Sequence, residues 1–280
     1  MRLTLLGTGG PIPDVERAGP SVMVEAGSTN LLFDAGRGVV TQLLRAGFDL
    51  AGISDLFITH HHYDHISDIG DLAISSWLAG RAGPLHIYGP PGTRDIVDAI
   101  FATVYGADIA FRDQGEPHFG GWRPTTGRDL DAGQPVEGPR WITTPGEVCH
   151  EPGLPVPSLA GRWRCYGYRV ESEGKSIVVS GDTIACEQLR RLAADADVLV
   201  MCAFFADSEL TTTHRKRVAQ RTLATPSTAG ALAQEARVGT LILTHIRPKS
   251  TSQLDEMTDT ARQHFSGEVI LGHDLMTHDV

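Results

Sequence analysis

The sequence predicts an α/β protein, a layered sandwich in which two β-rich halves are covered by helices. Three observations predict it. Short apolar runs recur along the chain, each bounded by Gly, Pro or Asn, as strands are. Stretches with helical spacing fall between them. The same succession then returns in the second half of the chain, with no linker dividing the two.

The elements follow in order. Leu3-Thr4-Leu5-Leu6 reads as a strand that ends in the turn Gly7-Thr8-Gly9-Gly10-Pro11, and residues 21–25 and 30–34 form the next two strands around Gly27. Residues 39–46 form a short helix stopped by Gly47. Residues 54–59 form a strand that runs into a histidine cluster. Residues 68–78 form a helix with Ile69, Leu72, Ala73 and Ser76 on one stripe. Between Pro117 and Pro157 lie eight of the 16 prolines, and Trp122, Trp141 and Trp163 fall in or beside that stretch. Proline fixes φ and donates no hydrogen bond, so the segment is expected to be loop and short edge strand. It reads as an insertion around 105–163 in one domain spanning 1–280, placed to carry or cover function. Strands return at 166–171, 176–180, 198–201 and 240–244. Helices fit at 187–194 and at 226–236, where Pro226 takes the first helical position.

Composition narrows the function. The 280 residues carry 24 Lys+Arg against 34 Asp+Glu, a formal net charge of −10. That balance argues against a nucleic-acid partner, since such binding draws on Lys and Arg at phosphates, and 105–145 offers no obvious basic arm to grip RNA. No apolar run approaches the roughly 18 residues needed to span a bilayer, and the N-terminus lacks a secretory core. Four scattered cysteines, with no C-x-x-C pair, fit a cytoplasmic protein with reduced thiols.

The sharp feature lies at the end of the 54–59 strand, in Thr59-His60-His61-His62-Tyr63-Asp64-His65. His60, His62, Asp64 and His65 form the pattern H-x-H-x-D-H. Alternation along an extended segment puts His60 and His62 on one side, and a turn brings Asp64 and His65 in from another. Two groups of ligands facing different ways suit two divalent metals. Imidazole and carboxylate donors fit zinc, and equally iron or manganese. Three further polar residues stand at or near strand ends: His150 in His150-Glu151-Pro152, Asp182 in Gly181-Asp182-Thr183, and His245 in Thr244-His245. Their coincidence with the histidine pattern marks them as ligands of the same site.

These residues resemble the metallo-β-lactamase superfamily. The likeness covers nearly the whole chain, through Leu5–Pro11, Phe33-Asp34-Ala35-Gly36, the histidine motif, Tyr88-Gly89-Pro90-Pro91-Gly92-Thr93, Gly181-Asp182-Thr183 and Leu243-Thr244-His245. Within the superfamily the landmarks are similar to the ribonuclease Z and arylsulfatase-like branch. The resemblance implies an αββα four-layer sandwich and a homodimer. It also implies two divalent ions, zinc foremost, with His60, His62 and His150 on one, Asp64, His65 and His245 on the other, and Asp182 bridging. The expected activity is hydrolysis by a metal-bridging hydroxide, which Asp64 orients, with no protein nucleophile.

The branch also places a histidine at a helix start and a glutamate after an apolar strand, both linked to proton transfer. Here Pro226 stands in the first position and Cys202 in the second. A general acid contributes roughly 10²–10⁴-fold, so its loss points to small substrates with good leaving groups: an ester, lactone, aryl sulfate or phosphodiester. The alternatives are a ribonuclease Z-type tRNA 3′-end endonuclease and a non-catalytic metal-bearing sensor. His214 is a candidate substitute acid, and Tyr63 a candidate to narrow the cleft and hydrogen-bond a substrate carbonyl. Trp122 and Trp141 are candidates to line a substrate pocket, and Gly272-His273-Asp274 to approach the rim. The glycines at 7–10 read as turn geometry, because no Lys-Ser/Thr follows to make a phosphate loop.

Overall fold

The structure is a computed structural model that describes residues 1–159 and 161–280; Ala160, inside the proline-rich segment, lies outside the described residues. Strand β1 (Arg2–Gly7) pairs antiparallel with β2 (Ser21–Ala26), which turns through Gly27 into β3 (Thr29–Phe33). Helix α1 (Val39–Arg45) leads to β4 (Asp55–Phe57), parallel to β3. Then come α2 (Tyr63–Ile66), α3 (Ile69–Leu78), β5 (Leu85–Gly89), α4 (Thr93–Ala99), α5 (Gly106–Gly115) and β6 (Thr125–Asp129).

The second sheet opens with β7 (Val136–Glu137), β8 (Ile142–Glu147), β9 (Tyr166–Ser172) and β10 (Lys175–Val179). It continues through α6 (Glu187–Leu192), β11 (Val198–Cys202), α7 (Thr213–Arg221), α8 (Pro226–Ala236), β12 (Thr240–Thr244), α9 (Thr251–His264) and β13 (Glu268–Leu271). Last, β14 (Met276–Asp279) returns to pair with β1. The sheets run β14-β1-β2-β3-β4-β5-β6 and β13-β12-β11-β10-β9-β8-β7.

Period-two burial sets the layers. In the first sheet Leu3, Leu5, Val22, Val24, Leu31 and Phe33 face the second, where Tyr168, Val170, Ile177, Val198, Val200 and Ile242 meet them. The alternate residues point outward. Met23, Leu32 and Leu56 pack under Leu43 of α1 and Leu72 of α3, whereas Val178, Leu199 and Leu241 pack under Leu189 of α6, Leu232 of α8 and Met257 of α9. The result is the expected αββα sandwich. Among the described residues no helix is long and apolar enough to cross a membrane.

The proline-rich insertion departs from its reading as loop in two places. Residues 106–115 precede the first of those prolines and form α5, with Arg112 bridging one turn back to Asp108 and one turn on to Glu116. Strand β8 is paired on both sides, but β7 covers only Ile142 and Thr143. Beyond them the Pro145 carbonyl accepts from Gly133 N at 2.7 Å on the outer side, so the missing N–H also faces away from β9.

The tryptophans are redistributed as well. Trp141 is buried between the sheets with its ring edge-on to Phe57, and Trp122 packs on Trp77 and Phe101 outside the first sheet. Neither lines the cavities beside the histidine cluster. Trp163 lies there instead.

Candidate metal centre

Every strand that feeds the site delivers its residue at a strand end. The loop after β4 carries His60, and α2 begins one residue past His62, so the turn of that helix swings Asp64 and His65 round to a second direction. From the other sheet, the loop after β8 brings His150, the one after β10 brings Asp182, and the one after β12 brings His245. All seven expected donors converge. His60, His62, His150 and Asp182 form one group and Asp64, His65 and His245 another, with the donor atoms in each lying within 4.8 Å of one another.

The separations have the scale of a coordination sphere. His62 Nδ1 lies 2.9 Å from His60 Nε2 and 3.2 Å from His150 Nε2. Asp182 divides its oxygens: Oδ2 is 3.9 Å from both His60 Nε2 and His150 Nε2, while Oδ1 is 3.6 Å from His65 Nε2 and 3.2 Å from His245 Nε2. Asp64 Oδ2 is 3.7 Å from His65 Nε2 and 3.4 Å from His245 Nε2. Donors about 2.0–2.2 Å from a tetrahedral ion stand about 3.3 Å apart, which these values bracket.

The donor chemistry fits a cation. Asp64 Oδ2, Asp182 Oδ1, His65 Nε2 and His245 Nε2 are buried without a hydrogen-bond partner among the described residues, and all four point at one another. Each such orphan costs about 1–3 kcal/mol unless something satisfies it. Burial, joined by neighbouring His65, holds His60 well below the ordinary imidazole range. His62 presents one edge to solvent, but the burial of the rest, followed by His150, pushes it down to about 4. Burial alone would raise Asp182, but His245 and His65 outweigh it and keep that carboxyl well below its usual range. His65 runs the other way: burial alone would lower it, but Asp34 and Asp182 outweigh that and hold it well above the ordinary imidazole range. An ion would have to displace its proton to reach the neutral form that binds metal.

Outer contacts aim these groups. Asp34 Oδ2 accepts from His65 Nδ1 at 2.7 Å and from Thr59 Oγ1 at 2.9 Å, and Asp34 Oδ1 accepts from Thr59 N at 2.8 Å. With its proton given to Asp34, Thr59 Oγ1 accepts from His60 Nδ1 at 3.0 Å. His150 Nδ1 donates to Thr222 O at 2.7 Å. Each bond fixes the tautomer that leaves Nε2 turned inward.

His245 adopts φ 58°, a left-handed backbone costing a β-carbon-bearing residue about 1–3 kcal/mol, and Ile246 N donating to Thr8 O at 2.8 Å helps hold it there. Its ring lies on Gly10, where an added Cβ would stand 2.9 Å from His245 Cε1. Gly10→Ala is expected to turn this ring and weaken binding of one of two ions by about 10–100-fold, as losing the aim of a ligand does. Titration of zinc into metal-free protein, with competition by a chelating dye, reads this directly.

The remaining candidates sort themselves. Tyr63 is 57% exposed at the cleft mouth and its hydroxyl donates to Pro11 O, which commits the proton expected for a substrate carbonyl. His214 is exposed on the first turn of α7, outside the residues lining the cleft. Cys202 is buried with its thiol donating to Thr183 O at 3.1 Å, and burial pushes it up to about 12, far from the neutral range that suits a general acid. Pro226 opens α8 as expected. Asp274 accepts from Thr8 N, Thr8 Oγ1 and Ala18 N, clamping the glycine turn that backs His245, while His273 is exposed.

Trp163, half-buried, is the residue sequence reasoning passed over. Its ring sits 4.7 Å from that of His62 and its Nε1 donates to His150 O at 3.2 Å. With His62, Tyr63, His150 and Leu159 it lines a cleft of about 320 Å³ over the donors. The only signal was its place at the return from the proline-rich segment to β9.

Residues 29–246 match the family described as the beta-lactamase superfamily domain. The chain belongs to the metallo-β-lactamase superfamily, metal-dependent hydrolases that use divalent ions. Within it the chain falls in the ribonuclease Z branch. It is 37% identical over 286 residues to a ribonuclease Z of Mycobacterium bovis BCG, covering 98% of this chain and 96% of that one. It is 38% identical over 285 residues to the ribonuclease Z of Mycobacterium marinum, with 98% and 97% covered. The fold matches that of the metallo-β-lactamase fold protein YhfI from Bacillus subtilis, with TM-score 0.74 at 22% identity over 99% of this chain and 98% of that one. It also matches the short form of human tRNase Z, with TM-score 0.72 at 23% identity over 100% and 99%.

Proposed function

We propose that this chain is a phosphodiesterase that cuts RNA at a dinuclear metal centre, as a ribonuclease Z acting at the 3′ end of tRNA precursors. The observation that carries the reading is the division of Asp182 between two donor groups. Similarity to ribonuclease Z proteins along 98% of the chain supports RNA as the substrate over the lactone, aryl sulfate or other small ester that composition and the missing acid pair favour.

His60, His62 and His150 would hold one ion and Asp64, His65 and His245 the other, with Asp182 between them. The donor set suits zinc, iron and manganese alike, and zinc leads because it is the typical metal of the superfamily. Such ions lower the pKa of a water and polarise the phosphoryl oxygen it attacks. The chain does the rest. Asp64 orients the attacking water, Asp34 and Thr59 hold His65 and His60 in register, and Trp163 and Tyr63 wall the cleft. The same reading carries a homodimer in the cytoplasm, where the four free cysteines stay reduced.

A second reading, a diesterase for good leaving groups, rests on Cys202 and Pro226. Pro226 has no proton to give, and the buried Cys202 thiol is already committed to Thr183 O. The test incubates zinc-loaded protein with a precursor tRNA bearing a 3′ trailer, beside bis(p-nitrophenyl) phosphate, an aryl sulfate and a lactone. Release of the trailer is expected, and chelation should stop it. Cleavage of the nitrophenyl diester alone would put the second reading in its place. Inactivity on all four would remove both.

A further inference from the structure

We propose that the exposed face of α7 is a docking track for the phosphate backbone of RNA beside the metal centre; this rests on the reading of RNA as substrate. Three observations on one short helix carry it.

The first is charge segregation. From residue 210 to 234 the chain has no Asp or Glu and four cations, Arg215, Lys216, Arg217 and Arg221, in a protein whose net charge is −10. Internal contacts account for Arg215 and Arg221 but not for Lys216 and Arg217, and no residue of α7 is fully buried. A local excess of positive charge on an acidic protein attracts a polyanion to that place and leaves the rest of the surface repelling it.

The second is where the helix is attached. Its C-terminal end is bonded to the loop that delivers His150: Thr222 O accepts from His150 Nδ1 at 2.7 Å, Arg221 O accepts from Glu151 N at 2.9 Å, and Arg221 Nε donates to Pro152 O at 3.2 Å. Thr222 itself lines the cleft over the donors. From that anchor α7 extends for about 13 Å, the length of a few nucleotides. A strand whose scissile phosphate lay at the metal centre would have its neighbouring phosphates within reach of the helix.

The third is which cations are free. Arg221 pairs with Glu151 at 2.5 Å, and Arg215 donates to Glu209 O at 3.1 Å and lies over the Phe205 ring. Lys216 and Arg217 have no ion-pair or side-chain hydrogen-bond partner among the described residues, and the Arg217 stem lies alongside Gly153 at the rim of the cleft. Arg217, with its stem beside Gly153, and Lys216, exposed one residue before it on α7, have no internal partner and are free to take phosphate oxygens.

The test is the double variant Lys216→Glu/Arg217→Glu in zinc-loaded protein. A labelled precursor tRNA with a 3′ trailer reports binding by anisotropy and cleavage by gel, and bis(p-nitrophenyl) phosphate, too short to reach α7, reports the metal centre. The variant is expected to bind the RNA about 10–100-fold more weakly at low salt and to lose about one to two units from the slope of log K against log salt, with nitrophenyl turnover unchanged within twofold. Lys216→Gln/Arg217→Gln should fall between. If the wild type binds this RNA with that salt dependence but leaves it uncut, the track stands and the endonuclease reading falls. Equal binding of the RNA by wild type and double variant, tight or absent, overturns the track whatever the cleavage result.

Discussion

Asp182→Asn is expected to abolish turnover, by about three orders of magnitude or more, and to lower the zinc content of purified protein from about two ions per chain. The change is isosteric, so lost packing does not enter. What it removes is the charge that both donor groups share through Oδ1 and Oδ2. Metal ions contribute several kcal/mol of transition-state stabilisation, and each 1.36 kcal/mol is about tenfold in rate. Circular dichroism and elemental analysis of the same sample separate a misfolded chain from a folded one that has lost metal. A folded variant with two ions and more than a tenth of the wild-type rate would remove Asp182 from the centre.

Asp34→Ala is expected to produce the second-largest effect, on affinity and stability together. Asp34 is buried, adopts φ 59°, and accepts from Thr59 N, Thr59 Oγ1 and His65 Nδ1. Its loss leaves the buried Thr59 N–H and the His65 Nδ1–H without an acceptor, at about 1–3 kcal/mol each. It also frees His65 to turn, which for an outer partner of a ligand costs about 10–100-fold in metal affinity. Denaturant unfolding of the metal-free protein reads the first loss and zinc titration the second. Asp34→Gly, which suits the left-handed backbone, should recover part of the stability and none of the affinity. Equal zinc affinity in wild type and Asp34→Ala would show that His65 is held by something else.

How legible the site was follows from how local each signal is. His60, His62, Asp64 and His65 lie within six residues on one strand-to-helix turn, and a pattern that short is visible in one dimension. Asp182 and His245 were legible because an apolar strand points at each. Asp34 ends a strand in the same way, yet its work is to hold other ligands, and nothing in a sequence separates that role from a turn aspartate. Trp122 and Trp163 are alike on paper; only the packing of Trp122 on Trp77 shows that it belongs to the outer layer. The sandwich was legible through the alternation in β1, β2 and β3, where one set of residues faces the opposite sheet and the other a helix. Helix α7 was not, since only Val218 of its residues packs against the core and one apolar contact makes no stripe.

Each donor group draws residues from both sheets: His60 and His62 face His150 and Asp182, and Asp64 and His65 face His245. An ion seated in either group thus rivets one half of the sandwich to the other. Binding at a hundred times Kd adds about 2.7 kcal/mol to the folded state, which keeps the fraction of open chains about a hundredfold lower. Starved of metal, the chain loses that clasp between its halves, and its lifetime before proteases becomes a gauge of the supply around it.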